Sequence, residues 1–233
     1  MKKLFFIVFM ILPAEYIYSQ SIRVEINSGF GTYRHDDLKS FQDYLITFAP
    51  PHTKKVSEFP PYFYYSASVE NILNERHLIG INFTWLTSGG RNDIKDYSGE
   101  YSLDMHINGI GAGFQYRYIV SSFKNFDIYA KARLGLLFSS FYMKERLNLM
   151  QADTSTTSDR FRAMNIYCEP SMGITWNFWS RLSLDFSLGY EIDTKGSLLL
   201  ENTKQFIALP SGQPIKTDWS GFRALAGISY RIR

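Results

Sequence analysis

Hydrophobic and polar residues alternate along most of the chain. From Leu182 to Asp193 the even positions are Leu182, Leu184, Phe186, Leu188, Tyr190 and Ile192, and the odd positions are Ser183, Asp185, Ser187, Gly189, Glu191 and Asp193. A period of two with this segregation predicts a strand with one apolar and one polar face. The C-terminal segment repeats it, with Phe222, Ala224, Ala226, Ile228, Tyr230 and Ile232 opposite Arg223, Leu225, Gly227, Ser229 and Arg231. Two further long strands are predicted over Met164 to Phe178 and Phe126 to Phe138. Between Tyr101 and Tyr118 the apolar face is odd through Leu103, Met105 and Ile107 and even from Ile110 to Tyr116. That change of phase predicts a β-bulge at Asn108-Gly109. Weaker alternation over Ile22 to Tyr33, Tyr62 to Asn71 and Leu78 to Thr87 brings the set to eight strands.

The connections alternate in length. Long links are expected at Arg34 to Pro61, Ser88 to Glu100, Lys144 to Arg162 and Thr194 to Ser220, and short ones near Asn74-Glu75, Ser121 to Asn125 and Trp179 to Arg181. An even number of amphipathic strands with short turns at one end and long loops at the other is the pattern of an antiparallel up-and-down transmembrane β-barrel. Tyr33, Trp85, Tyr118, Phe126, Trp176, Phe178, Tyr190 and Tyr230 stand near strand ends, where aromatic girdles would meet the membrane interface. The competing fold is a secreted soluble barrel with its apolar face inward. The polar face carries nearly all of the charge, and the loop alternation favours lipid outside.

The N-terminus adds a destination. Met1-Lys2-Lys3, the apolar run Leu4 to Leu12, Pro13 and Ile17-Tyr18-Ser19 read as a cleaved signal peptide over residues 1–19, leaving 20–233 as a single barrel domain of the outer membrane. One cysteine among 233 residues excludes an intramolecular disulfide framework, and a net charge of +3 is too small to imply a nucleic-acid partner.

With its Lys-Lys leader ending in Ser19-Gln20, eight amphipathic strands and the closing strand Gly227-Ile228-Ser229-Tyr230-Arg231-Ile232-Arg233, the chain resembles the small outer-membrane β-barrel proteins of the Bacteroidota. That loose group includes the PorT component of the type IX secretion route. The resemblance implies a barrel accessory to secretion or surface assembly, and it carries over no functional residue.

An eight-stranded barrel is only wide enough for its own side chains. Charges on the inward face are therefore expected to form a paired plug, because an unpaired buried ion is costly. Arg23, Arg117, Lys131, Arg133, Arg223 and Arg231 balance Glu25, Glu70, Asp104, Glu169, Asp185 and Glu191. Of these, Arg23, Glu25, Lys131, Arg133, Glu169, Asp185, Glu191, Arg223 and Arg231 make up the expected lumen network, with Glu191 pairing to Arg223 across the last hairpin.

Other candidate chemistry is weaker. Asp104 and His106 lie on one face before Asn108-Gly109, a spacing reminiscent of lipid A deacylases, but no nucleophile follows. His35-Asp36-Asp37 and His52 are expected on a solvated loop rather than around a metal, and Gly109 to Gly113 lacks the Lys-Ser/Thr of a phosphate loop. Cys168 is expected to face lipid, and Tyr62 to Tyr65 to join a girdle.

The expected function is non-enzymatic, structural or binding through the extracellular loops. No cofactor is expected; the expected partners are outer-membrane lipid and a protein at the loops. A barrel enzyme acting on membrane lipid and a narrow channel are the alternatives.

Overall fold

The computed structural model describes residues 21–97, 99–149, 155–203, 205–209 and 211–232. The expected signal peptide lies outside the described residues, as do Lys204 and Pro210. In chain order the elements are β1 (Ile22–Gly31), α1 (Asp36–Ile46), β2 (Lys54–Glu58), β3 (Tyr62–Ile72), β4 (His77–Asp96), β5 (Gly99–Phe123), β6 (Phe126–Leu149), β7 (Ser155–Trp176), β8 (Leu182–Asp193), β9 (Gly196–Ser197), β10 (Leu199–Leu200), β11 (Lys216–Thr217) and β12 (Gly221–Ile232).

Eight of these are staves. Each pairs antiparallel with its neighbours in the order β1-β3-β4-β5-β6-β7-β8-β12, and β12 returns to β1 from Ile22↔Ile232 to Gly31↔Arg223, so the ring of eight is closed. Closure lets every stave satisfy its backbone hydrogen bonds within the wall, which a hydrocarbon surround requires.

The alternation sorts inside from outside. Phe186, Leu188, Ile228, Leu134, Phe114 and Ile26 point out and are exposed, whereas Arg23, Glu25, Arg117, Arg133 and Asp185 point in and are buried. This is the reverse of a water-soluble barrel and gives a transmembrane fold. Aromatic rings border the apolar band at both ends. Phe30, Phe63, Tyr65 and Trp85 form a chain of ring contacts at one end, and Phe126, Trp176, Phe178 and Trp179 form another at the short-turn end.

Phe186→Arg is therefore expected to cost about 2 to 4 kcal/mol of folding free energy in lipid vesicles, because the guanidinium must enter hydrocarbon. Ser187, one residue on, is buried against the lumen, so Ser187→Arg should act through steric crowding and respond to removal of neighbouring charges. Equal tolerance of arginine at both sites in a vesicle-folding titration would overturn the assignment of faces.

Three expectations need correction. β5 has no bulge at Asn108-Gly109: its pairing with β6 is continuous there, and the irregularity lies between Ile119 and Ser121. The inward face stays odd throughout. Below Asn108 the odd residues Gln115 and Arg117 line a polar lumen; above it Tyr101, Leu103, Met105 and Ile107 pack into an apolar core. A change of surroundings at constant register looks, in sequence, like a change of register.

The expected long links Ser88–Glu100 and Lys144–Arg162 are mostly strand, because β4 to β7 run on beyond the band as paired hairpins. With β2 added beside β4 and β10 beside β7, they form a six-stranded wall standing above the barrel. Among the described residues, the links 34–61 and 194–220 leave the hairpin pattern, and their apolar side chains pack against the inward face of that wall.

Tyr33 and Tyr64 are not girdle residues. Tyr33 is buried against Trp219, and Tyr64 points into the lumen.

Helix α1 forms where Asp36 and Asp37 complement the dipole of the first turn. Its residues Leu38, Phe41 and Gln42, spaced for one face, are the buried ones. Gln42 ties it down by donating to Asn92 Oδ1 (2.7 Å) and to the Ser57 carbonyl (2.8 Å).

Candidate functional site

Alternation in β1, β3, β5, β6, β7, β8 and β12 places five cations (Arg23, Arg117, Lys131, Arg133 and Arg223) and five carboxylates (Glu25, Glu70, Glu169, Asp185 and Glu191) in the lumen, each at most 4% exposed. Equal numbers matter because each ion then has a partner within reach.

Arg117 is the hub. Its Nε lies 3.0 Å from Glu70 Oε1 and its Nη1 3.2 Å from Asp185 Oδ1, while Nη2 pairs with Glu25. One guanidinium thus links β5 to β3, β8 and β1. The planar fork can do this with fixed geometry, which an ammonium cannot. The Tyr129 ring lies 4.2 Å beneath its carbon. Arg23 shares Asp185 at 2.5 Å, Thr175 donates to the same carboxylate at 2.6 Å, and Lys131 sits 3.4 Å from Glu25.

The next layer toward the wall is Arg133, which meets Glu169 at 3.3 Å and the Tyr64 hydroxyl at 3.0 Å; that hydroxyl donates to Glu169 at 3.0 Å. Above this, Arg223 pairs with Glu191 at 3.2 Å and donates to the carbonyls of Trp219 (2.5 Å) and Thr32 (2.7 Å). Arg223 thereby couples the plug to the chain that covers it.

That cover is a hydrophobic dome. Leu38 and Phe41 of α1, Phe59, Leu103, Phe141, Leu198, Ile215 and Trp219 are buried together. Trp219 Nε1 donates to Ser139 Oγ at 2.8 Å, and its ring stands edge-on to Tyr33 (5.0 Å) and His35 (4.5 Å). Gly109 makes room for it: a Cβ there would lie 3.1 Å from the indole. The glycine-rich run is thus packing space, on a strand.

Eight of the nine residues named for the network meet in the lumen. Arg231 instead lies half-buried at the short-turn mouth, beside a cavity of about 710 Å³ that Arg23, Asp127 and Arg181 also line. Asp104, counted among lumen charges, is on the outward face and 3.5 Å from Arg91, because even positions of β5 point out. Arg117 and Glu70 were legible by parity, but nothing in sequence marks Arg117 as the centre. The uncharged members Tyr64, Tyr129 and Thr175 share the parity of the charged ones, but nothing else in sequence marks them.

His35, expected on a solvated loop, is fully buried, in the left-handed region with φ 44°. It accepts a hydrogen bond at Nδ1 from the Asp218 amide (3.3 Å), and its amide donates to the Asp218 carbonyl (3.1 Å). Burial holds its pKa down at about 3, only partly offset by Asp218. The imidazole is neutral in the fold and becomes cationic in the unfolded chain below about 6.5. The unfolded state then binds more protons, so stability is full above pH 6.5 and falls as pH drops toward 3. Dome unfolding should cost about 2 to 3 kcal/mol less at pH 4 than at pH 7. Hydrogen exchange of α1 at the two pH values checks this, and His35→Gln should flatten the difference.

No protein-family model and no curated protein matches the chain. Solved structures do. A major outer membrane protein from Thermus thermophilus aligns with a TM-score of 0.54 at 10% identity, over 92% of this chain and 100% of that one. Neisserial surface protein A aligns with a TM-score of 0.46 at 13% identity, over 91% and 97%. The outer membrane protease OmpT from Escherichia coli aligns with 0.43 at 9%, over 92% and 98%. The likeness to the Thermus protein is one of fold: this chain is similar to it as an eight-stranded antiparallel barrel of the outer-membrane kind.

Proposed function

We propose that the protein is a closed, non-enzymatic barrel of the outer membrane that anchors an extracellular binding platform, the wall and dome above the apolar band. The observation that carries this is Arg117, which ties four staves together across the lumen beneath a dome of buried apolar side chains. An eight-stranded wall filled in this way is a rigid support, and rigid supports with elaborated connections commonly present binding surfaces.

The platform also exposes apolar residues to water: Phe48 at the end of α1, Val56 on β2, Tyr97 at the β4–β5 turn and Phe206 in the last connection. The leader-like N-terminus and the resemblance to small Bacteroidota barrels support an outer-membrane location and a role beside a secretion or surface-assembly machine. The enzyme reading has less support. His106 faces outward, its cross-sheet neighbours are Gly89 and Tyr142, and Asp104 is engaged by Arg91.

The test is photocrosslinking in intact outer membranes with a reactive residue at Phe206 or Tyr97, beside planar-bilayer recording of the purified protein. Specific protein adducts from the platform positions and a silent bilayer are expected. Steady single-channel steps would favour the channel. Altered lipid acylation lost in His106→Ala would favour the enzyme.

A further inference from the structure

On the outward face the boundary between apolar band and polar wall is sharp along β6 and β7. The row Ile110–Phe138–Met164 is apolar and exposed, and the next row up ends in Arg162. Above that row β6 adds Lys144 and Arg146, and β7 adds Arg160. The register runs unbroken from the lipid-facing residues to these four, so all share one face.

Arg160 and Arg162 have side chains 57% and 65% exposed. Lys144 and Arg146 have no ion-pair partner among the described residues. Among the described residues no outward position of β6 or β7 above the boundary is acidic, and only Glu201, from the last connection, reaches the arginines, at 2.5 Å from Arg162 and 4.0 Å from Arg160. The neighbouring face of β4 and β5 is different: Arg91 is matched by Asp93 and Asp104, and Lys95 by Glu100.

Strands rise about 3.3 Å per residue at a tilt near 40°. Arg162 therefore stands about 5 Å above the last apolar row and Arg160 about 10 Å above it. That is the depth of lipid headgroups. We propose that this cationic face of β6 and β7 binds the phosphate of a phosphorylated lipid in the surrounding leaflet, with the acyl chains lying against Phe138 and Met164. Guanidinium forks take phosphate oxygens in bidentate pairs, and Glu201 holds the two arginines in place until an anion displaces it. The inference rests on the outer-membrane reading above.

The test uses the full-length mature chain in detergent micelles, with native mass spectrometry after addition of bisphosphorylated lipid A, its dephosphorylated form, or inorganic phosphate alone. Wild type is expected to retain the phosphorylated lipid about tenfold better than the dephosphorylated one, as loss of charge-assisted hydrogen bonds implies. Arg160→Gln with Arg162→Gln should abolish that preference, and Lys144→Gln with Arg146→Gln should weaken it. Arg91→Gln with Lys95→Gln should leave it unchanged.

Equal retention of both lipids by wild type, or an unchanged preference in the Arg160/Arg162 variant, overturns the proposal. Full competition by inorganic phosphate makes it a site for free phosphate and overturns the lipid assignment. A wild-type chain that never gives the heat-modifiable band of a folded barrel overturns the outer-membrane reading as well, whereas a folded barrel without lipid preference overturns this inference alone.

Discussion

Arg117→Met is expected to destabilise the barrel by about 3 to 5 kcal/mol, because it leaves three buried carboxylates facing one another without their shared cation. Glu25, Glu70 and Asp185 are each at most 1% exposed, so solvent cannot screen them. Arg23 and Lys131 remain within 4 Å of members of this set, yet neither reaches all three. Arg117→Lys should recover only part of the loss, since a single ammonium cannot serve three oxygens in three directions. Pairing Arg117→Met with Glu25→Gln should cost less than the sum of the two single changes, because each removes the other's unpaired charge. Urea unfolding in lipid vesicles, read by heat-modifiable migration, measures the wild type and all four variants. A loss below about 1 kcal/mol for Arg117→Met would mean that water enters the lumen and the plug is not dry, and the closed-barrel reading would fall with it.

Trp219→Ala should cost about 3 to 5 kcal/mol, the range for emptying a fully buried indole site. The loss should be confined to the dome. Trp219 is 0% exposed and fills the space between His35, Tyr33 and Gly109, and its indole nitrogen is the partner of the buried Ser139 hydroxyl. None of these contacts lies in the apolar band. The variant should keep its heat-modifiable migration while a soluble protease gains access to the connections 34–61 and 194–220. Trp219→Phe should restore most of the packing but not the hydrogen bond to Ser139, and so fall between the two. Wild-type protease resistance in Trp219→Ala would show that the dome is held by its strand pairing rather than by its core.

Both predictions turn on residues whose position in sequence is ordinary. Arg117 is one of the dozen charges that parity would place inward, recognisable by that parity but not by rank. Its importance comes from standing opposite β1, β3 and β8 at one level of the barrel, a matter of stagger that depends on how all eight staves tilt. Trp219 lies in a connection with no periodicity, so no pattern marks it as core. His35 is similar: beside two aspartates in a link rich in polar residues, it looks solvated, and only the packing of α1 and the last connection onto the wall buries it.

Local pattern alone settles the number of barrel staves, the face that most stave residues present, the balance of charge within the lumen and the aromatic borders of the apolar band. A strand alternates its side chains whatever it pairs with, so these features need no knowledge of the neighbours. What surrounds each face is not local. The odd face of β5 meets ions below Asn108, whereas above it Leu103, Met105 and Ile107 meet apolar neighbours; in sequence that difference has the look of a break in register. Likewise, Lys144–Arg162 contains polar residues at a spacing that suits either a loop or a strand in water, and only pairing between β6 and β7 beyond the band decides for the wall. Alternation reports the polarity of two environments. Which environment lies on which side, and where it changes, is set by closure of the ring and by the two long connections that fold back over its mouth.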